Sequence, residues 1–89
     1  MLEIKVKDYI ASVCNVGSLF VNEGDFVKCG DNLFNVESQK ISTVIKANFE
    51  GKVLDINLTR GEYLEPGVVV LTVDGKVIEE SEHLSVEQK

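Results

Sequence analysis

The sequence predicts a small all-β sandwich or barrel whose two sheets are related by a quasi-twofold axis, and three observations predict it. The first is an internal repeat: at a shift of 37 positions, residues 21–36 lie over residues 58–73. Gly24 falls on Gly61, Asp25 on Glu62, Phe26 on Tyr63, Val27 on Leu64, Gly30 on Gly67 and Leu33 on Val70. Upstream, Val16 falls on Val53, Leu19 on Ile56 and Cys14 on Gly51. A repeat of this kind marks one supersecondary unit used twice. The second observation is a set of short segments rich in β-branched residues and bounded by turn residues. The third is the absence of any sustained helical period.

The elements follow in order. Residues 2–6 alternate in part, and residues 16–21 form the second strand-like run. Gly24-Asp25 marks a turn before the short apolar pair Phe26-Val27, and Lys28-Cys29-Gly30 marks the next turn. Residues 33–37 are a strand. Along Ile41, Thr43, Ile45 and Ala47 the period is two, with Ser42 and Lys46 on the opposite face. Residues 53–58 and 68–73 repeat the strands of the first half, separated by Gly61-Glu62, Tyr63-Leu64 and the turn Glu65-Pro66-Gly67. That last turn reads as type II, with Pro fixing φ at the first central position and Gly taking positive φ at the second. From Glu79 onward the pattern is lost, and residues 79–89 read as an acidic tail or the start of a linker behind a single domain of residues 1–78.

One connector stands apart. Between the runs 32–37 and 41–47 lie only Ser38, Gln39 and Lys40, which is hairpin spacing. A lysine at the tip holds its amine away from the body on a rigid support, which suits covalent attachment of a swinging cofactor. In the second copy the same turn falls on residues 75–77, near the end of the chain, so the tip and the chain ends are expected at opposite poles.

Composition narrows the function. A chain of 89 residues supports one small core, and its net charge of −6, from 15 acidic and 9 basic residues, disfavours nucleic acid and anionic membrane as partners. No apolar run approaches membrane-spanning length. The N-terminus lacks a basic region followed by an apolar stretch, which predicts the cytosol or an organelle matrix such as the mitochondrial matrix. Cys14 and Cys29 lack CxxC spacing and read as reduced thiols, while His83 has no second metal ligand near it. Ser, His and Asp form no nucleophile–base arrangement, so no catalysis by the chain itself is expected.

The motifs Gly24-Asp25-x-Val27, Gly30-x-x-Leu33-x-x-Val36-Glu37, Ser38-Gln39-Lys40, Ile45-x-Ala47, Gly51-x-Val53, Gly61 and Gly67 together resemble the lipoyl and biotinyl carrier domains over about residues 16–73. The resemblance implies a flattened barrel of two four-stranded antiparallel sheets, monomeric, with Lys40 modified in an exposed turn. Glu37, Ser38, Gln39 and Ile41 would then be the context that the modifying enzyme reads. Biotinyl domains usually flank the lysine with methionine, and here the neighbours are Gln39 and Ile41. Lipoyl domains typically read Glu-(Ser/Thr)-Asp-Lys-Ala, which Glu37-Ser38 enters well, with Gln39 for Asp and Ile41 for Ala. The implied cofactor is lipoic acid on Lys40, with biotin as the alternative.

Among lipoyl carriers, the glycine-cleavage protein is longer, with additional helical segments. The chain is more similar to the amino-terminal domain of a 2-oxo acid dehydrogenase acyltransferase. That likeness implies a lipoyl ligase or transferase as modifying enzyme. Its further partners would be a thiamine-diphosphate decarboxylase, the acyltransferase core and dihydrolipoamide dehydrogenase. The segment 8–15, which the resemblance puts beside the lysine turn, is expected to carry decarboxylase recognition with Glu37 and Gln39. The competing readings are biotin carriage for a carboxylase, a glycine-cleavage-type carrier and an unmodified barrel-sandwich module. Modules of that last kind in efflux systems usually insert a helical hairpin where residues 38–41 lie.

Overall fold

A computed structural model describes residues 1–11 and 14–88. Its elements are β1 (Leu2–Val6), α1 (Asp8–Ala11), β2 (Asn15–Leu19), β3 (Phe26–Val27), β4 (Asn32–Glu37), β5 (Ser42–Lys46), β6 (Phe49–Ile56), β7 (Val69–Val77) and β8 (Leu84–Gln88). All strand pairs are antiparallel. One sheet has the order β3-β6-β7-β1-β8 and the other β2-β4-β5. Phe34 and Phe49, both fully buried, sit in the core with Leu2, Ile4, Val36, Ile45, Val53 and Val73.

The repeat is written into the hydrogen bonds. Gly24 N–H donates to the Val53 carbonyl at 2.8 Å, and Gly61 N–H donates to the Val16 carbonyl at the same distance. Val53 N–H reaches the Asp25 carbonyl at 2.9 Å, as Val16 N–H reaches that of Glu62 at 2.8 Å. The irregularities repeat as well: β4 slips against β5 between Asn32 and Phe34, where β7 slips against β1 opposite Ile4 and Lys5. An extra residue in one strand breaks the alternation, which is why Leu33-Phe34 and Val70-Leu71 are each buried in succession. Gly67 has φ 81° and its counterpart Gly30 has φ 95°. Both occupy the left-handed position that the turn sequences require.

Two expectations are corrected. Among the described residues the sheets hold five and three strands, not four each. Tyr63 makes only a single bridge to Asn15, where its counterpart β3 makes a two-residue ladder with β6. The next bond of that ladder, Leu64 N–H to the Cys14 carbonyl, is long at 3.2 Å. The fifth strand is β8, formed by residues expected to be patternless tail. It lies along the outer edge of β1 from Leu2↔Gln88 to Val6↔Leu84. Leu84 is buried beneath it, and Lys7 N–H donates to the His83 carbonyl at 2.8 Å. The Lys5–Glu87 ion pair at 3.7 Å is solvent-exposed and contributes little.

Candidate functional site

The Lys40 turn is the sole connection between β4 and β5, and the two strands are paired up to Glu37↔Ser42. Residues 38–41 therefore close a tight loop at the end of a ladder. Ser38 N–H donates to the Ile41 carbonyl at 2.8 Å. The Ser38 hydroxyl oxygen accepts two more bonds, from Lys40 N–H at 3.2 Å and Ile41 N–H at 3.1 Å. Serine is apt here because a short hydroxyl side chain can fold back onto amides two and three residues on. Ser38 is half-buried, whereas Gln39, Lys40 and Ile41 are exposed. The Lys40 backbone is held while its side chain is free to leave the surface.

Glu37 ends β4, paired with Asn15 on one side and Ser42 on the other. Its carboxylate accepts a bond from the Asn35 side-chain amide at 3.1 Å. Behind it, Gly17 leaves room for this pair, since a Cβ there would lie 3.1 Å from the Asn35 amide nitrogen and 3.3 Å from the Glu37 carboxyl carbon. The five residues singled out by sequence thus occur together at one end of the β2-β4-β5 sheet.

A shallow, open cleft beside the turn is lined by Asn15, Glu37, Ser38, Gln39, Lys40, Ile41 and Tyr63. Tyr63 is the residue that local sequence reasoning missed. It comes from the second copy of the repeat, and its bridge to Asn15 sets it beside the hairpin of the first. The signal available in sequence was the repeat itself, which equates Tyr63 with the aromatic Phe26.

The segment 8–15 has a more varied structure than expected. Residues Asp8–Ala11 form a helical turn with Ile10 and Ala11 buried. Tyr9 donates its hydroxyl to the Glu82 carbonyl, tying this turn to the chain that leads into β8. Ser12 and Val13 lie outside the described residues. Among the described residues of the segment, Asn15 alone lines the lysine cleft.

The thiols are free, and burial pushes the Cys14 thiol above its ordinary pKa. Among the described residues no group of three or more His, Cys, Asp or Glu side chains could hold a metal ion. No helix among them is long and apolar enough to cross a membrane.

Comparison with known proteins bears on the family of the chain. The family described as "Biotin-requiring enzyme", the biotin/lipoyl attachment family, matches residues 3–73. The dihydrolipoyllysine-residue acetyltransferase component of the pyruvate dehydrogenase complex of Mycoplasma capricolum is 36% identical over 59 residues, 66% of this chain and 14% of that protein. The biotin carboxyl carrier protein of acetyl-CoA carboxylase of Porphyra purpurea is 30% identical over 56 residues, 63% of this chain and 36% of that protein. The chain thus spans only a fraction of each relative. With a matching profile over most of its length and a lysine-tipped hairpin, the chain belongs to the biotin/lipoyl carrier-domain family, whose members bind lipoic acid or biotin covalently.

Proposed function

We propose that the chain is a lipoyl carrier domain that moves acyl groups between the active sites of a 2-oxo acid dehydrogenase complex. The observation that carries this reading is the exposed Lys40 on a hydrogen-bonded hairpin tip, entered by Glu37-Ser38 and flanked by Gln39 and Ile41 instead of methionines. The likeness to an acetyltransferase component supports it. Lipoic acid in amide linkage would supply a dithiolane that accepts an acyl group and is reoxidised afterwards. The chain's own contribution is mechanical and recognitional. Ser38 fixes the backbone from which the Lys40 stem projects, and the rigid β4–β5 ladder sets the direction of that stem. Tethering raises the effective concentration of the carried group at each partner site.

The partners in this reading are a lipoyl ligase or transferase, a thiamine-diphosphate decarboxylase, an acyltransferase and dihydrolipoamide dehydrogenase. The test is the intact mass of the protein made in cells with active lipoyl and biotin ligases, followed by peptide mapping. The expected result is a lipoyl adduct on Lys40 that Lys40→Arg abolishes without loss of fold. A biotinyl adduct on Lys40 would overturn the lipoyl reading in favour of carboxylase service, for which the likeness to a biotin carrier is the supporting observation.

A further inference from the structure

The cleft beside Lys40 has an apolar side, to which Tyr63 comes from the second copy of the repeat. Tyr63 is 75% exposed and Ile41 47% exposed, and both line the cleft that contains the lysine. Tyr63 projects from a held backbone. That backbone is bridged to Asn15 and held on either side, by Gly61 N–H to the Val16 carbonyl at 2.8 Å and, more weakly, by Leu64 N–H to the Cys14 carbonyl at 3.2 Å. Exposed aromatic rings on rigid backbone are the usual anchors of protein recognition, because they bury much area with little loss of side-chain freedom.

The identity of the occupant follows from reach. Enzymes that work on a carried cofactor reach its far end, a full cofactor length from Nζ, even where they also touch the domain. The enzyme that attaches the cofactor must come to Nζ itself. In that step the neutral Lys40 amine attacks the carbonyl of an activated acyl donor held by the enzyme. The amide C–N bond forms, the bond to the donor's leaving group breaks, and the amine's surplus proton passes to a base on the enzyme. Nζ must therefore enter that active site at the end of its own methylene stem, so the enzyme surface closes over whatever flanks the stem. Ile41 and Tyr63 line the same cleft as Lys40.

We propose that Tyr63 and Ile41 form the apolar docking surface for the enzyme that acylates Lys40. This rests on the reading of Lys40 as the cofactor-bearing lysine. The fold supplies its own control. Phe26, the repeat counterpart of Tyr63, is 66% exposed in an equivalent setting, and its cleft with Phe20, Asp25 and Asp31 contains no lysine hairpin.

The experiment measures kcat/KM for acylation of Lys40 by a purified lipoate ligase, with lipoic acid and ATP, for the parent, Tyr63→Ala, Tyr63→Phe, Ile41→Ala and Phe26→Ala. Thermal melting of each variant is recorded alongside. Tyr63→Ala should lower kcat/KM about tenfold or more, the effect of losing an interface anchor. Ile41→Ala should lower it less, and Tyr63→Phe and Phe26→Ala should stay close to the parent. Modification of Tyr63→Ala at the parental rate, or equal slowing by Phe26→Ala, overturns the proposal while the carrier reading stands. Absence of modification at Lys40 in the parent overturns the carrier reading and this surface with it.

Discussion

Ser38→Ala isolates the contribution of one hydroxyl to the shape of the lysine turn. The change removes the acceptor for Lys40 N–H and Ile41 N–H, at 3.2 and 3.1 Å, and leaves the 2.8 Å bond from Ser38 N–H to the Ile41 carbonyl in place. A net hydrogen bond is worth about 0.5–1.5 kcal/mol. Both bonds here are long and the turn is solvent-accessible, so water can replace part of each. The low end applies, and the pair together contributes about 1 kcal/mol. That predicts a fall in Tm of about 4–8 °C for a domain of this size. It also predicts about fivefold more open turn at equilibrium. If the modifying enzyme takes the closed turn, acylation of Lys40 at subsaturating domain slows in proportion to the closed fraction, up to about fivefold where the open turn dominates. The assays are thermal melting, amide exchange at Lys40 and Ile41, and the rate of mass gain with a lipoate ligase. Ser38→Thr, which keeps the hydroxyl, should restore most of the rate. Parental acylation and parental exchange in Ser38→Ala would refute the idea that this hydroxyl shapes the site.

Three further outcomes are expected. The double change Gln39→Lys with Lys40→Gln keeps charge and composition but moves the amine by one position on a turn whose backbone is fixed, and peptide mapping should find no adduct. Gly75→Ala places a Cβ against the Glu50 carbonyl and the Gly51 backbone on the paired strand, so denaturant titration should show a loss of about 1–3 kcal/mol. Leu84→Asp puts a carboxylate at a buried position of β8 and should release that strand. Exchange at Lys7, whose amide donates to the His83 carbonyl, should then rise while Val53, bonded to Asp25, stays protected and Lys40 is still modified.

The parts legible in sequence were those encoded locally or twice. The hairpin tip needed only the spacing of two apolar runs around residues 38–40, and the quasi-twofold needed only the shift of 37. What escaped was decided by partners distant in the chain. Residues 84–88 carry one partial alternation behind the acidic stretch Glu79-Glu80-Ser81-Glu82, and they become a strand because β1 offers an open edge. The edge is invisible from the segment itself. Tyr63 likewise has nothing near it in sequence that mentions a lysine. Its place beside Lys40 arises from pairing with Asn15, which the repeat implies only once Phe26 is seen to pair with Lys52. The division into five and three strands turned on two features, the addition of β8 to one sheet and, in the other, the weakened ladder where Cys14 stands in the position of Gly51.

The Asn15–Tyr63 bridge also has a consequence in time. Pairings between residues far apart in the chain form late, because the loop between them must close before the contact is gained. During synthesis the hairpin with Lys40 emerges and can form before Tyr63 has left the ribosome, yet the cleft beside it is still unfinished. On the docking surface proposed above, such a chain is a poor substrate until its second half has folded back onto its first. Cofactor attachment then acts as a checkpoint, committing the modifying enzyme to domains that have completed their topology.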